Sequence, residues 1–368
     1  MTVLEEATEH QGRARVALAA ALRAGPSHSY LFLGPRGSGK RAAARAFAAE
    51  ILAAAAADPA DARRRALLDP SPHPDLVWLA PRGAQHLVEE VRERVIRAAA
   101  YRPFEGGRRV FVVEDAEAMR DESQNALLKT LEEPPAFVHL LLLSSDREGL
   151  LETVASRCQP VTFAPLPARV VEAELAAEGT GVAAEEIAAA ARLAAGDLEL
   201  ARLLLTERGR QLREDAQRCL AAALAGSSAQ APWRALLERA QTAGADAEAA
   251  AREALEEEAK AGLKRSAREV SEEAKRAGRR SRTELLDLGL ALCAAWLRDL
   301  AAVATGAEGV AYARDRLEVL REQARDLDAA RARRGAELVQ ETRRALDLNV
   351  SEELALEALF FRLEALLG

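Results

Sequence analysis

Short apolar runs alternate with helical patterns over the first 165 residues of the chain. Each run is continuously apolar, as in strands that are buried on both faces of a sheet. Strands that alternate with helices are typical of parallel sheets, so this pattern predicts an α/β domain over residues 1–165. The predicted strands are Ser29–Leu33, Leu76–Leu79, 110–113, 138–143 and 161–163, and the predicted helices begin at Lys40, span 85–99 and pass through Leu127 and Leu131.

After residue 167 the strand pattern stops and the chain becomes helical. Residues 166–205 predict a small helical domain, and residues 206–368 predict a larger one. Two apolar stripes in the larger domain recur every three or four residues, which predicts helices with one buried face. The first stripe is Leu285, Leu288, Leu292, Trp296 and Leu300, and the second, after a helix start at Asn349 or Ser351, is Leu356, Leu359, Phe360, Leu363 and Leu367.

Residues 252–282 are densely charged, with acidic residues first and basic residues last. Such a run is usually the solvated face of a helix, so a long solvated helix is the favoured interpretation. A surface for DNA or a protein partner is the alternative.

The composition narrows the class of protein. Aromatic residues make up only 4% of the chain and charged residues 30%, which favours helices. The net charge of −7 argues against wrapping DNA by bulk electrostatics, although a local basic patch is compatible with it. Neither a signal segment nor an apolar window of about 18 residues is found, and we therefore expect a soluble cytoplasmic protein without a membrane partner.

A glycine-rich segment between the first strand and the following helix has the spacing and context of a P-loop. In such a loop, backbone N–H groups and the helix N-terminus approach phosphate oxygens, and the lysine reaches the terminal phosphates. The sequence therefore predicts a candidate site for ATP or ADP, and a plain strand–helix turn is the alternative. The segment contains Gly34, Gly37, Ser38, Gly39 and Lys40.

The residue after the lysine departs from the P-loop pattern. Serine or threonine at this position holds magnesium through its hydroxyl group, but Arg41 stands here. A guanidinium group only donates hydrogen bonds, so we expect magnesium to be poorly held.

Two further features extend the candidate site. Glu114 and Asp115 follow the third strand, where P-loop ATPases place acids that serve magnesium and the attacking water, although two adjacent acids are also common in loops. Arg157 lies just before the fifth strand and is a candidate arginine finger for a neighbouring subunit, although a lone arginine is usually a surface residue.

Several segments together resemble the AAA+ subunits of bacterial clamp loaders, from about Glu9 to Pro165. The resemblance implies a P-loop module with five parallel strands, a three-helix lid and a helical collar. It also implies a ring of five subunits that opens a sliding clamp and loads it on primed DNA. The matching segments are 28–35, 73–75, 102–106, 125–135 and 156–158, with a fainter likeness at 346–363.

Within that family, the departures favour the delta-prime type of subunit over the gamma or tau motor. The motor normally has serine or threonine where Arg41 stands, and Asp-Glu where Glu114 and Asp115 stand. It also has a sensor arginine in the lid, whereas this chain places Glu199 in the corresponding Gly-x-Leu-x motif. The resemblance thus implies a subunit with little or no ATPase activity that gives Arg157 to a neighbour, with gamma or tau and delta as partners.

The sequence also bears on metal ions. Members of this family often carry a four-cysteine zinc module, but residues 51–75 contain no cysteine, and Cys158, Cys219 and Cys293 are far apart. We therefore expect neither zinc nor a disulfide framework. Two other functions stay open, namely an active motor ATPase of the gamma or tau type and a stand-alone nucleic-acid-binding or scaffold protein.

Overall fold

The computed structural model describes residues 2–81, 85–179, 181–260, 266–346 and 350–368, without the side chains of 258–260. The chain forms two compact units, Met1–Leu166 and Pro167–Gly368. None of the described helices is long and apolar enough to cross a membrane.

The first unit contains a five-stranded parallel sheet with the strand order β2-β3-β4-β1-β5. All five predicted strands are found, and the predicted α/β class is confirmed. The elements in chain order are α1 (Val3–Ala7), α2 (Gly12–Ala24), β1 (Ser29–Leu33), α3 (Lys40–Ala53), α4 (Pro59–Leu67), β2 (Leu76–Leu79), α5 (Val88–Val91, continued by a π-helical turn Arg92–Arg97), β3 (Arg109–Val113), α6 (Asp121–Glu132), β4 (Val138–Ser144), α7 (Glu152–Ala155) and β5 (Gln159–Thr162).

The three central strands of the sheet, β3, β4 and β1, are buried on both faces because they are apolar at most successive positions. Phe32 of β1 packs with Phe47 of α3 and with Phe163 on one face. Leu31, its neighbour in the strand, packs on the opposite face with Phe111. Because successive side chains of a strand point to opposite faces of the sheet, β1 contributes to the core on both faces.

Two predicted boundaries in this unit are wrong by a few residues. The helix predicted from residue 85 begins at Val88, after Leu87 in an extended conformation. The fifth strand is Gln159–Thr162, so Phe163 lies just beyond it, although its N–H still donates to the Leu33 carbonyl at 2.8 Å.

The second unit is helical throughout its described residues, as expected. Its first three helices, over 168–205, cluster with the remaining helices as one compact unit, so the division at residue 205 into lid and collar stays a prediction. The helices are α8 (Ala168–Ala177), α9 (Ala184–Leu193), α10 (Leu198–Leu205), α11 (Glu207–Leu224), α12 (Arg234–Lys260), α13 (Ala267–Ala304), α14 (Leu317–Ala324), α15 (Ala329–Leu346) and α16 (Glu352–Leu367).

Both predicted apolar stripes belong to buried helix faces. In α13, every member of the first stripe is buried except Leu288, which is half-buried. The second stripe is fully buried on α16. Of the two predicted starts for this helix, Ser351 is its N-cap residue, and Asn349 lies outside the described residues.

The single long helix predicted over 252–282 is wrong. Helix α12 ends at Lys260, and α13 begins at Ala267 after Ser266, which has an extended backbone. Ser266 accepts the N–H of Glu269, whose carboxylate accepts the Ser266 N–H in return, and this capping box starts a new helix. Residues 261–265 lie outside the described residues.

Candidate functional site

The P-loop joins the C-terminal end of β1 to the first turn of α3. Its path needs glycine at three positions. A Cβ atom on Gly34 would lie 2.4 Å from the carbonyl oxygen of Phe163, so no larger residue fits between β1 and β5. Gly37 and Gly39 have φ angles of 67° and 84°, a left-handed conformation that residues with a Cβ atom rarely adopt.

The lysine of the loop is buried and folded back onto the loop itself. The Nζ atom of Lys40 donates to the carbonyl oxygens of Gly34 at 2.9 Å and Pro35 at 3.1 Å. Burial lowers the pKa of Lys40, although the carboxylates of Glu117 and Asp115 act in the opposite direction. Among the described residues, the buried hydroxyl group of Ser38 has no hydrogen-bond partner. The loop therefore keeps a cation and an unused polar group at the position where phosphate binds in P-loops.

Glu114 is held at the end of β3 by two different side chains. One carboxylate oxygen accepts the indole N–H of Trp78 at 2.9 Å. The other lies 3.4 Å from Nε of Arg41. The strand end thus carries an acid whose negative charge is already matched by a cation from helix α3.

The neighbouring acid is also matched by an arginine of the loop. Asp115 has a left-handed backbone with φ of 47°, and its carboxylate lies 3.5 Å from the guanidinium of Arg36. The structure therefore places the predicted phosphate loop and acidic pair close together, with an arginine between each acid and the loop.

Arg41 connects three elements of the unit. In addition to Glu114, its guanidinium contacts Asp69, after α4, at 3.2 Å. The Arg41 guanidinium also lies 5.8 Å from the centre of the Trp78 ring, and the Arg45 guanidinium lies 4.4 Å from the same ring centre. These contacts fix a positive charge one residue beyond the P-loop lysine.

The residues at this position do not fit a magnesium ion. Magnesium prefers oxygen ligands in an octahedral arrangement, and guanidinium groups supply none. Arg41 stands where a hydroxyl ligand is required, and Glu114 is bound to Arg41 and Trp78. Elsewhere in the described part of the chain, no group of three or more histidine, cysteine or acidic side chains is arranged to hold a metal ion.

A third acid belongs to the site, and the sequence pattern did not single it out. Glu117 lies in a 3-10 turn, Ala116–Ala118, and one carboxylate oxygen accepts the N–H of Ser145 at 3.0 Å. Its other oxygen is buried and has no hydrogen-bond partner in the part of the chain that the structure describes. Its position two residues beyond the acidic pair was the available signal, but an acid in a loop is too common to stand out.

Arg157 lies on the segment between α7 and β5 and contacts both α7 and α6. It donates to the carbonyl oxygen of Thr153 at 2.8 Å and lies 2.5 Å from a carboxylate oxygen of Glu132 at the end of α6. None of its hydrogen bonds reaches the P-loop of its own chain. Burial raises the pKa of the adjacent Cys158 thiol to about 12, so this cysteine is no nucleophile.

Glu199, the predicted departure in the lid motif, belongs to the second compact unit. It lies in the first turn of α10 and contacts Arg202 at 2.5 Å. Its negative charge is therefore matched locally on the same helix.

Comparison with known proteins finds relatives of the first unit. Residues 12–167 match the family model described as DNA polymerase III, delta subunit. The DNA polymerase III subunit delta' of Pseudomonas aeruginosa is 40% identical over 160 residues, which cover 41% of this chain and 47% of that protein. Over part of its length the chain is thus similar to delta-prime subunits of DNA polymerase III.

Related subunits of the same polymerase also match. The subunit gamma/tau of Mycobacterium bovis is 35% identical over 167 residues, which cover 43% of this chain and 28% of that protein. A solved structure of a DNA polymerase III gamma subunit-related protein from Thermotoga maritima overlaps with a TM-score of 0.38 at 16% identity, covering 94% of this chain and 99% of that one. The match to the Pseudomonas delta-prime subunit spans about half the length of that protein.

Proposed function

We propose that the chain is a delta-prime subunit of a DNA polymerase III clamp loader. The observation that carries this proposal is the match of residues 12–167 to delta-prime proteins, combined with a P-loop whose metal position is filled by Arg41. In this function the chain joins gamma or tau and delta subunits in a five-membered ring in the cytoplasm. The ring opens the sliding clamp and loads it on primed DNA.

The proposed subunit hydrolyses little or no ATP. Hydrolysis by P-loop ATPases needs a metal ion at the β- and γ-phosphates and an acid that orients the attacking water. Arg41 cannot hold the metal, and Glu114 and Asp115 both face arginine side chains. The same loop still has Lys40 and its glycines, which is compatible with bound nucleotide.

In the proposed function, Arg157 acts as an arginine finger in the ATP site of a neighbouring subunit. An arginine stabilises the charge that develops on a transferred phosphoryl group through a rigid fork of donors. Its present contacts, with Thr153 and Glu132, lie on a partly exposed surface, and a guanidinium can leave a surface ion pair at little cost.

Residues 206–368 are the proposed assembly collar, and residues 166–205 the proposed lid. The collar assignment rests on the length of its helices and on exposed apolar side chains of α16. Leu354 is 64% exposed and Phe361 42% exposed on the helix that also supplies the second buried stripe. Apolar groups left exposed on a long helix suit a protein–protein contact.

An active motor is the second candidate, favoured by the gamma/tau relatives and by the intact loop lysine. Arg41 distinguishes between the two candidate functions. A motor needs its metal, and a guanidinium at this position excludes the hydroxyl ligand.

Assembly with partner subunits tests the proposed function. Purified chain, gamma or tau, and delta are mixed and separated by size-exclusion chromatography. The full chain should elute with both partners as one complex, and a chain ending at residue 205 should stay apart. Failure of the full chain to join either partner would contradict the proposal, and entry of the shortened chain would contradict the collar assignment.

A further inference from the structure

We infer that Arg41 replaces the divalent cation of this P-loop, so that the site binds a nucleoside di- or triphosphate without magnesium. The inference deepens the proposed function and rests on its assignment of residues 34–40 as a nucleotide site. In this site the side chain of Arg41 supplies the positive charge that a metal ion normally supplies.

The guanidinium of Arg41 lies between the two elements that hold the metal ion in other P-loop proteins. Arg41 directly follows the loop lysine and contacts Glu114 at 3.4 Å, which is the acid that follows β3. In P-loop NTPases a metal ion stands between the residue after the lysine and an acid of this strand. Here a covalently attached cation joins the same two elements.

The second support is that the cation is fixed in place. Trp78 donates to the second oxygen of Glu114, and Asp69 contacts Arg41 at 3.2 Å and Arg45 at 3.0 Å. The ring of Trp78 lies beside both guanidinium groups. An arginine held by two carboxylates and an aromatic ring loses less conformational freedom when a ligand binds than a free surface arginine does.

The third support is the remaining capacity of Arg41 to donate. A guanidinium carries five N–H groups in a planar fork, and its pairing with Asp69 and Glu114 leaves others for phosphate oxygens. The side chain of Arg41 is 54% exposed, so a ligand can reach it. Together with Lys40 and Arg36, it offers three cations along the loop to a polyphosphate.

The fourth support comes from groups inside the loop that are not used by the protein itself. The Ser38 hydroxyl is fully buried and has no hydrogen-bond partner among the described residues. The left-handed backbone at Gly37 and Gly39 lets consecutive N–H groups converge, as in anion-binding nests. A buried polar group without a partner is costly, and a phosphate oxygen would satisfy it.

Magnesium would have to compete with these contacts. To reach Glu114, the metal must displace the guanidinium of Arg41 from its ion pair with that carboxylate. The metal would gain this carboxylate at the expense of the ion pair, and Arg41 offers no oxygen ligand in place of the usual hydroxyl, so the metal gains little from the site. Added magnesium is therefore expected to lower the affinity slightly, because it shields the nucleotide in solution from the arginines.

Titration of the isolated full chain with ATP, by isothermal titration calorimetry in magnesium and in EDTA, tests the inference. The wild-type chain should bind ATP in EDTA with a Kd within about threefold of its value in magnesium. Arg41→Thr, which restores the usual hydroxyl, should weaken binding in EDTA by roughly tenfold or more and recover it in magnesium. Lys40→Ala should abolish binding in both solutions.

Arg64→Thr is the matched control, because Arg64 is an exposed arginine of α4 that pairs with Asp61 away from the loop. This variant should bind as the wild-type chain does. Arg41→Lys keeps the charge but loses the fork, and should bind in EDTA with intermediate affinity. The thermal unfolding midpoint of each variant, measured without nucleotide, separates a lost binding site from a lost fold.

Three outcomes would overturn the inference: no ATP binding by the wild-type chain in EDTA, binding that needs magnesium, or an Arg41→Thr variant that folds and binds as the wild-type does in EDTA. These outcomes are distinct from failure of the proposed function. A chain that assembles with its partners but binds no ATP in EDTA disproves the inference alone. A chain that binds ATP in EDTA but joins no partner disproves the proposed function alone.

Discussion

At the scale of single residues, Arg41 determines the chemistry of the candidate nucleotide site. Its inability to bind magnesium follows from its side chain alone. Its contacts with Asp69 and Trp78 do not, because these residues lie 28 and 37 positions away and meet it only through the packing of α3 against β2 and the loop after α4. The chemistry of Arg41 thus excludes the usual hydroxyl ligand, and its contacts in the folded chain fix where its positive charge lies.

His139 provides a residue-scale prediction about pH. It is buried in β4, its Nδ1 atom hydrogen-bonds the Ser27 carbonyl at 2.9 Å, and its ring stacks on His28. Burial, with a smaller contribution from Arg108, lowers the pKa of His139 below its ordinary 6.5. The unfolded chain thus binds a proton more readily than the folded one, so the free energy of unfolding is retained above pH 6.5 and falls as the pH decreases below it.

Urea unfolding above and below pH 6.5 measures this effect. The wild-type chain should lose stability at the lower pH by no more than about 1.4 kcal/mol per pH unit for each such histidine. His139→Gln should lose less on acidification, and His10→Gln, a change at an exposed histidine, should behave as wild-type does. An unchanged pH dependence in a folded His139→Gln variant would show that His139 is not responsible.

At the scale of elements, the strands were predicted better than the charged helices. Buried parallel strands are continuous apolar runs that few other structures produce. Residues 252–282 are instead charged helix formers without proline, in which Gly262 and the pair Ser266 and Glu269 were the capping signals. The sequence could not show that α12 and α13 are separate helices packed side by side.

Close approach of α12 and α13 depends on two glycines. A Cβ atom on Gly278 would lie 2.8 Å from the carbonyl oxygen of Gly244, and one on Gly244 would lie 2.9 Å from that of Gly278. The Ser281 hydroxyl donates across the same contact to Ala243 at 3.2 Å. Backbone atoms cannot rotate away from a new methyl group, so the helices must separate to admit it.

Gly278→Ala should therefore lower the free energy of unfolding by about 1–3 kcal/mol, despite the higher helix propensity of alanine. Gly12→Ala is the control, since Gly12 is also helical but its Cβ position is open. That control should be neutral or stabilise the chain by up to about 1 kcal/mol. Equal stability of the wild-type and Gly278→Ala chains in chemical denaturation would contradict the close contact.

At the scale of the whole molecule, the α/β unit followed by helices was predictable, whereas the use of each helix was not. The apolar pattern located the change near residue 166 because strands and helices differ in period. The proposed lid and the proposed collar are both amphipathic helices in the sequence. Their separation at residue 205 is still a prediction that assembly experiments address.

The central claim is that this chain completes a neighbour's ATP site while its own site does no hydrolysis. Arg157 tests it most directly, because it takes no part in the chain's own P-loop. Its ion pair with Glu132 is partly exposed, so Arg157→Ala should cost at most about 1 kcal/mol of stability. A large loss of clamp-loading activity in a complete loader would therefore reflect the function of Arg157 and not its contribution to stability.

The decisive measurement is the rate of clamp loading on primed DNA by reconstituted loaders that carry wild-type, Arg157→Ala, Arg157→Lys or Glu132→Gln chains. Arg157→Ala should assemble normally but load slowly with reduced DNA-stimulated ATPase activity, and Arg157→Lys should rescue poorly because an ammonium lacks the fork of donors. Glu132→Gln breaks the same ion pair but keeps the arginine, so it should load at the wild-type rate or faster. Wild-type loading by the Arg157→Ala loader, or an equal defect in both the Arg157→Ala and Glu132→Gln loaders, would contradict the account.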